Sequence, residues 1–281
     1  MPLDFTAEDL IPDHLRFDVE FEPTKFQGKK YVINGETKDY LGVVGDSFRC
    51  ASHADFFMGV HDTMTEQLGA DSCDNMNIKW RTARNNAWAM MDMTLPEITA
   101  PVVSDAHRTT IAPRIIALHG IDGSCSNMVF FGAIDFFCTN GLILGDWDKV
   151  RRKNTSGFDM SLFIKELNES VTMFYASADK FQHWAEISLG GVNVRDLLKS
   201  IIKTDSKADK MFNLYNKEAY QRGKNVWALY SAFTNYSSHN NDNGFALRNT
   251  GNDTAAQTMW LREQEVSKWI STPEFRSLVA A

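Results

Sequence analysis

The chain has 281 residues, of which 43% are hydrophobic and 12% aromatic, enough for a sizeable core in one large domain or two small ones. No run of about 18 apolar residues occurs, and the acidic N-terminus lacks the basic start and apolar stretch of a secretion signal, so we expect neither a transmembrane helix nor export. The net charge of −7 is unevenly distributed, because residues 1–22 hold seven acids and one base, which leaves −1 for the other 259 residues.

The acidic start of the chain has two interpretations. We expect an acidic segment over residues 1–25 and a single α+β domain over residues 26–281. The segment either screens a basic patch or contacts a neighbouring subunit, or it is a solvated tail. The four cysteines form no CxxC pair, so we expect reduced thiols in a cytoplasmic protein and no zinc site. They are Cys50, Cys73, Cys125 and Cys138.

The first predicted elements are a hairpin and a helix. Residues 31–33 and 40–44 are β-prone and flank Asn34-Gly35, a strong turn signal. Ser52 is a suitable N-cap for a helix that Gly69 would end. Apolar residues then recur at spacings of three and four, which predicts a buried helix face. They are Phe56, Phe57, Val60, Met64 and Leu68.

The middle of the chain predicts strands and the end predicts helices. Four or five short β-rich runs fall between residues 75 and 144, the last of them turning at Asn140-Gly141. Beyond Trp147, apolar residues recur with helical spacing over residues 161–187, 193–203, 217–239 and 254–270. We therefore predict an α+β fold with a central antiparallel sheet and a helical C-terminal half.

Motifs of known catalytic or cofactor sites are missing from the sequence. It contains no HExxH, GxSxG, GxGxxG or GxxxxGK[ST] pattern. His53 and His61 are two helical turns apart, which is too far for a shared metal ion. Asp122 is interpreted as an ordinary turn residue. We predict no catalytic residues, no metal site and no cofactor.

Two basic segments suit nucleic acid better. In KWRTARNNAW, Lys79 and Arg81 would share one face of a strand while Trp80 takes the other. The second segment is KVRRKNTSG, in which four cations precede small polar residues able to bond phosphate oxygens. Cations at phosphate spacing with aromatic platforms favour sequence-independent binding of a single strand. The alternative is a solvated basic loop beside core tryptophans. The candidate residues are Lys79, Trp80, Arg81, Arg84, Lys149, Arg151, Arg152 and Lys153, with Trp147 as a second stacking surface.

Several short segments together resemble a known family. They are LGVVGDSFRCASHADFF (residues 41–57), the Asp-Gly-Ser turn at 122–124, CTNG at 138–141, the basic RRKNT, and WALYSAFTNYSSH (residues 227–239). In this order and spacing they resemble the phage- and plasmid-like proteins grouped as a domain of unknown function of the DUF932 type. Ser231 and Asn154 stand where that pattern has Asn and His.

The resemblance implies an intracellular protein of a virus or plasmid and brings no established catalytic residue. In element order, such proteins are similar to the single-strand annealing recombinases of phages. Those proteins pair a β-sheet with helices, form rings or filaments, and hold single-stranded DNA along a basic groove.

Three functional hypotheses follow. The leading one is a phage-encoded protein that binds single-stranded DNA as a homo-oligomer, anneals complementary strands in recombination, and acts in the host cytoplasm without a cofactor or membrane. The alternative is a non-enzymatic protein that binds and inhibits a host or defence factor, with the acidic N-terminus mimicking nucleic acid. The third is a hydrolase that uses His119, Asp122 and the Asn140 turn.

Overall fold

A computed structural model describes residues 6–73, 75–137, 140–143, 151–152, 160–239 and 255–280. Two antiparallel sheets come first in the chain and most helices follow, so the predicted α+β class is confirmed. The strands are β1 (Val19–Pro23), β2 (Lys29–Asn34), β3 (Tyr40–Gly45), β4 (Asn77–Ala83), β5 (Trp88–Thr94), β6 (Ala100–Val103), β7 (Arg108–Gly120), β8 (Asn127–Asp135), β9 (Gly141–Ile143) and β10 (Arg151–Arg152). The helices are α1 (Ala7–Leu10), α2 (His53–Leu68), α3 (Ala70–Cys73), α4 (Met160–Glu186), α5 (Val194–Ile202), α6 (Asp205–Arg222), α7 (Val226–Ser238), α8 (Ala255–Ile270) and α9 (Pro273–Val279).

A three-stranded sheet in the order β1-β2-β3 contains the predicted hairpin. The turn is longer than Asn34-Gly35 alone, because the Asn34 side chain accepts hydrogen bonds from the backbone N–H groups of Glu36 and Thr37. Strand β1, which pairs with β2 of this hairpin, comes from the acidic segment. Leu15 and Phe17 from the same segment are buried in the core, so the described part of the acidic segment, residues 6–25, is packed into the fold.

The larger sheet follows the order β10-β8-β7-β5-β4, with β6 pairing β7 and β9 pairing β8. Its long central strand β7 is buried from Ile111 to Gly120. The sequence does not predict strand β6, because Pro101 favours an end of the preceding strand. Pro101 instead sits on β6, opposite Thr110 of β7. The register of the strands places one face of this sheet against α2 and the other against α8.

Helix α2 covers the first face and begins as the sequence predicts. Ser52 and Asp55 form a reciprocal capping box, and Gly69, with a φ of 83°, ends the helix. Phe57 is fully buried, and its ring centroid lies 4.9 Å from that of Trp80 on β4 and 6.0 Å from that of His119 on β7. The α2–sheet contact is therefore an aromatic layer.

The C-terminal helices surround α7. Nearly every residue of α7 is buried, and aromatic side chains of α4, α8 and α9 pack around it. The sequence predicts one helix over residues 217–239, but the chain forms two. Gly223 takes a φ of 85°, and Asn225 caps the new helix by accepting from the N–H of Ala228. A left-handed glycine followed by an Asn cap is a helix stop and start, which outweighs the apolar periodicity.

None of the helices within the described ranges is both long enough and apolar enough to cross a lipid bilayer.

The aromatic layer gives a direct test of the fold. Phe57→Ala should lower the free energy of unfolding by about 3–5 kcal/mol, because it removes a fully buried ring and leaves a cavity. Urea denaturation followed by tryptophan fluorescence would measure the change. Phe26→Ala is the matched control, since Phe26 is 58% exposed. Similar losses in the two variants would show that α2 does not pack on this sheet.

Candidate polar cavity

The predicted cationic residues lie at opposite edges of the larger sheet. Lys79 and Arg81 belong to the edge strand β4, and Arg151 and Arg152 form β10 beyond β8. Four strand spacings separate these edges, which corresponds to about 19 Å at about 4.8 Å per strand. Lys149 and Lys153 lie outside the described residues, as does Trp147.

The register shows what lies between the two edges. Across the sheet, Arg81 pairs with Met90, Met90 with Leu118, Leu118 with Met128, and Met128 with Arg151. The three intervening residues are buried in an apolar cluster with Met259 and Trp260 of α8. The sheet therefore does not join the two basic segments by a continuous charged surface.

A polar cavity of about 240 Å³ opens beside β4, on the sheet face that α8 covers. Four buried lining residues come from β5, β7 and β8, while the end of α7 and the start of β9 supply the side opposite β4. Among the described residues, three members of the lining are cations and one is a carboxylate. The lining residues are Lys79, Arg81, Asp92, Thr94, Arg114, Ile134, Gly141, Ser238 and His239.

Arg114 and Asp92 form the buried base of this cavity. The Arg114 Nε and Nη2 atoms donate to the two carboxylate oxygens of Asp92 at 2.7 and 2.9 Å, and Nη1 donates to Glu263 Oε1 of α8 at 3.2 Å. Arg81 Nη1 donates to Asp92 Oδ2 at 2.8 Å. Burial alone would raise the pKa of Asp92, but the charges and hydrogen bonds of Arg114 and then Arg81 hold it at about 2. The carboxylate is fully engaged by guanidinium groups.

Lys79 stands at the opening of the cavity. It is exposed, and within the described residues no carboxylate lies within ion-pair distance of it. Glu263, by contrast, is buried, and this burial raises its pKa above the ordinary value. Three cations thus face two carboxylates, so the cavity carries an excess of positive charge.

The opposite wall brings together two of the segments that carry the family resemblance. The Asn140 Nδ2 atom donates to the carbonyl of Ser231 at 3.1 Å, which fixes its Oδ1 as an acceptor. His239 Nε2 lies 2.9 Å from that oxygen and is therefore the protonated nitrogen. The backbone N–H of Gly141 donates to Ser238 Oγ at 2.8 Å. These three contacts hold the start of β9 against α7 and the residue that follows it.

Gly141 also has a steric role. A Cβ atom built on Gly141 would collide with the guanidinium of Arg114. The absence of a side chain therefore lets Arg114 lie flat across the base of the cavity, between Asp92 and Glu263. This close approach explains the glycine of the CTNG segment.

The remaining predicted residues lie elsewhere. Trp80 points to the other face, as predicted, and is half-buried against Phe57, so its ring is a packing surface. Arg84 sits in the β4–β5 turn with a φ of 55°, and its Nε pairs with Asp122 Oδ2 at 2.7 Å. Asp122 also accepts from the N–H of Ser124 at 3.0 Å, which confirms its interpretation as a turn residue.

Several cavity residues were not selected from the sequence. Arg114 and Asp92 lie inside strands that were interpreted only as apolar runs, although a charged residue within such a run is a signal of a buried ion pair. Ser238 and His239 end a segment that the sequence predicts as a helix and that carries the family resemblance, without a predicted role in binding. These residues converge only through strand register and helix packing, which spacing in the sequence does not encode.

The residues of the hydrolase hypothesis do not converge. His119 lies opposite Ala89, while Asn140 lies beside Asp135, whose partner is Ile111. His119 and Ile111 are eight residues apart on β7, which separates His119 and Asn140 by about 26 Å at about 3.3 Å per residue. Asp122 is committed to Arg84 and Ser124. No three His, Cys, Asp or Glu side chains converge as metal ligands in the part of the chain that is described.

His119 instead forms a buried pair with His53 of α2. Their Nδ1 atoms are 2.8 Å apart, and His53 Nε2 lies 2.8 Å from the carbonyl oxygen of Asn86. His53 Nε2 therefore donates to that carbonyl, and His119 Nδ1 donates to His53. Burial lowers the pKa of His53 to about 4 and that of His119 well below its ordinary value, so both rings are neutral in the folded protein.

Comparison with known proteins gives one match. A family described as Domain of unknown function (DUF932) matches residues 40–270. Neither a curated protein nor a solved structure matches the chain. The matched range contains the whole lining of the cavity.

The histidine pair predicts a loss of stability in acid. The unfolded chain takes up protons near pH 6.5, whereas the folded pair stays neutral to about pH 4 or below, so stability falls as the pH drops from 6.5 towards 4. Each buried histidine contributes about 1.4 kcal/mol per pH unit in that window. Urea unfolding at pH 7.5, 6.0 and 5.0 would measure the slope. His119→Gln keeps a donor for His53 and should reduce this slope; an unchanged slope would contradict the assignment.

Gly141 gives a second test. Gly141→Ala should cost about 1–3 kcal/mol in the free energy of unfolding, because the new methyl group displaces the buried Arg114 guanidinium. The matched control is Gly45→Ala, where the added methyl group meets no atom within 4 Å and the expected change is within about 0.5 kcal/mol. Thermal melting of the two variants side by side is the measurement. Equal melting temperatures would exclude the close approach.

Proposed function

The chain belongs to the family Domain of unknown function (DUF932), and we propose that it binds single-stranded nucleic acid, with a strand phosphate contacting Lys79 at the opening of the cavity and Arg81 adding positive potential beside it. The wider role would be strand annealing by a phage-encoded homo-oligomer in the host cytoplasm, with single-stranded DNA as the partner. Further phosphate contacts stay predicted for Lys149, Arg151, Arg152 and Lys153. Because β10, which holds Arg151 and Arg152, lies at the other sheet edge, contact with both basic segments requires a strand that passes around α8 or continues onto another subunit.

The observation that carries the proposal is the uncompensated positive charge at the opening. Lys79 is exposed without a carboxylate partner among the described residues, and Arg81 keeps 20% of its side chain exposed beside it. Asp92, which is the one carboxylate of the lining among the described residues, is neutralised by two guanidinium groups. An anion approaching the opening therefore meets cations first.

One feature opposes anion binding and is offset locally. The C-terminal end of α7 is the negative end of its dipole, and it forms part of the cavity wall. Arg262 of α8 donates from Nη1 to the carbonyl oxygens of Tyr236 and His239, at 3.2 Å each. This guanidinium lies against the helix end and reduces its negative potential.

The effect of the acidic N-terminus on binding cannot be measured by deleting it, because the deletion would also remove part of the core. Deleting residues 1–22 would remove most of β1 together with the buried Leu15 and Phe17. Neutralising the exposed Asp13, Asp18 and Glu22 to the matching amides leaves the core intact. This triple variant separates a charge effect on nucleic-acid or host-protein binding from a folding defect.

Binding is tested by fluorescence anisotropy with a labelled 30-nucleotide single strand. The chain should bind at low salt and lose affinity as salt rises, because phosphate contacts release counterions. Lys79→Ala should weaken binding about fivefold, or about 1 kcal/mol, for every sequence, and should reduce the salt slope by about 1.

The control variant is Lys165→Ala, an exposed lysine of α4 that does not line the cavity. It should bind like the unmodified protein. Absence of binding at low salt, or equal losses in the two lysine variants, would contradict the proposed function.

A further inference from the structure

The shape of the cavity restricts what can enter it. Asp92, Arg114 and Ile134 on three adjacent strands are at most 8% exposed and close its base. Ser238 and His239 at the end of α7 are half-buried, and Lys79 is the exposed lining residue that marks the opening. The sheet itself forms the base, so a ligand cannot pass through it and has to approach from the side away from the strands.

The size of the cavity adds a second restriction. The cavity volume is about 240 Å³. It is below the range of about 300–1,000 Å³ that is typical of sites for drug-sized ligands. A continuous polynucleotide would have to bend in and out through one opening, whereas a group at the end of a strand can enter alone.

The chemistry of the lining suits a terminal phosphate. Lys79, Arg81 and Arg114 supply charged N–H donors, and Thr94 and Ser238 supply hydroxyl groups. A phosphate monoester carries about −1.5 to −2 charges at pH 7 and three terminal oxygens, whereas an internal phosphodiester carries a single charge. The excess positive charge of the lining therefore favours the monoester.

We infer that the cavity is a binding site for the terminal phosphate monoester of a nucleic-acid strand, so that the protein holds phosphorylated strand ends in preference to internal segments. This inference rests on the proposed function, because it identifies which part of the strand the cavity takes. Lys79 contacts the phosphate at the opening, and Arg81 and Arg114 provide the positive field below it. Asp92 holds both guanidinium groups in place.

The test compares four versions of one labelled 12-nucleotide strand at constant ionic strength. They carry a 5′-phosphate, a 3′-phosphate, a 5′-phosphate capped as its methyl ester, or no terminal phosphate, with the label at the opposite end. We expect one phosphorylated end to bind about tenfold more tightly than the unphosphorylated strand, as one added charge-assisted contact provides. The methyl ester, which is a diester, should lose this preference, and added inorganic phosphate should compete it away.

Variants then locate the preference. Lys79→Gln should abolish the difference between the phosphorylated and unphosphorylated strands, while Lys165→Ala should keep it. Because Lys79 is exposed, an unchanged urea midpoint would show that Lys79→Gln remains folded.

The outcomes separate the two proposals. Equal binding of all four strands would overturn the terminal-phosphate site and leave the proposed function standing. Failure of all four strands to bind would overturn both. A preference that survives in Lys79→Gln would move the end-binding site away from this cavity and overturn the inference.

Discussion

The buried pairing of Arg114 with Asp92 and Glu263 organises the polar side of this fold. Arg114 is 3% exposed on the central strand, and its partners lie on β5 and on α8. Burying three charged groups costs solvation energy that their pairing has to offset, and removal of one partner from such a network typically costs about 3–5 kcal/mol. The pair of Glu263 with Arg114 therefore adds a polar anchor to the apolar packing of Met259 and Trp260 that holds α8 over the sheet. The same pairing makes the base of the cavity polar. It also neutralises the Asp92 carboxylate, which reduces its repulsion of an anion.

The requirements of Arg114 extend to segments far away in the sequence. Its guanidinium occupies the space that a side chain at position 141 would need, so the chain must have glycine there. Asn140 is then held by Ser231 and His239 from α7, the helix most completely enclosed by the others. Two of the segments that carry the family resemblance are therefore coupled by one local geometry. Most of the WALYSAFTNYSSH segment serves packing, and its last two residues reach the cavity.

Local signals in the sequence predict most of the fold but little of the site. Asn34-Gly35 predicts the hairpin, Ser52 and Gly69 predict the ends of α2, and the alternation in β4 predicts a strand of the antiparallel sheet. Each of these signals acts through neighbouring residues. The division of residues 217–239 at Gly223 was missed, because the apolar periodicity continues across the break. The site depends on register: Arg81 meets Asp92 because β4 pairs β5 with one specific offset. Arg84 reaches Asp122 through a left-handed turn that charge patterning does not reveal.

The distribution of paired and unpaired cations decides which basic residues are available to a polyanion. A phosphate that approaches Arg84 competes with the carboxylate of Asp122, which is almost fully buried and already has its hydrogen bonds in place. Arg81 faces the same competition from Asp92, and displacing it would leave a buried carboxylate with one partner fewer. Lys79 has no such competitor among the described residues, so a phosphate gains its full contact there. Under the proposed function, affinity at this edge of the sheet depends on the lysine, while the two arginines keep Asp92 and Asp122 neutralised.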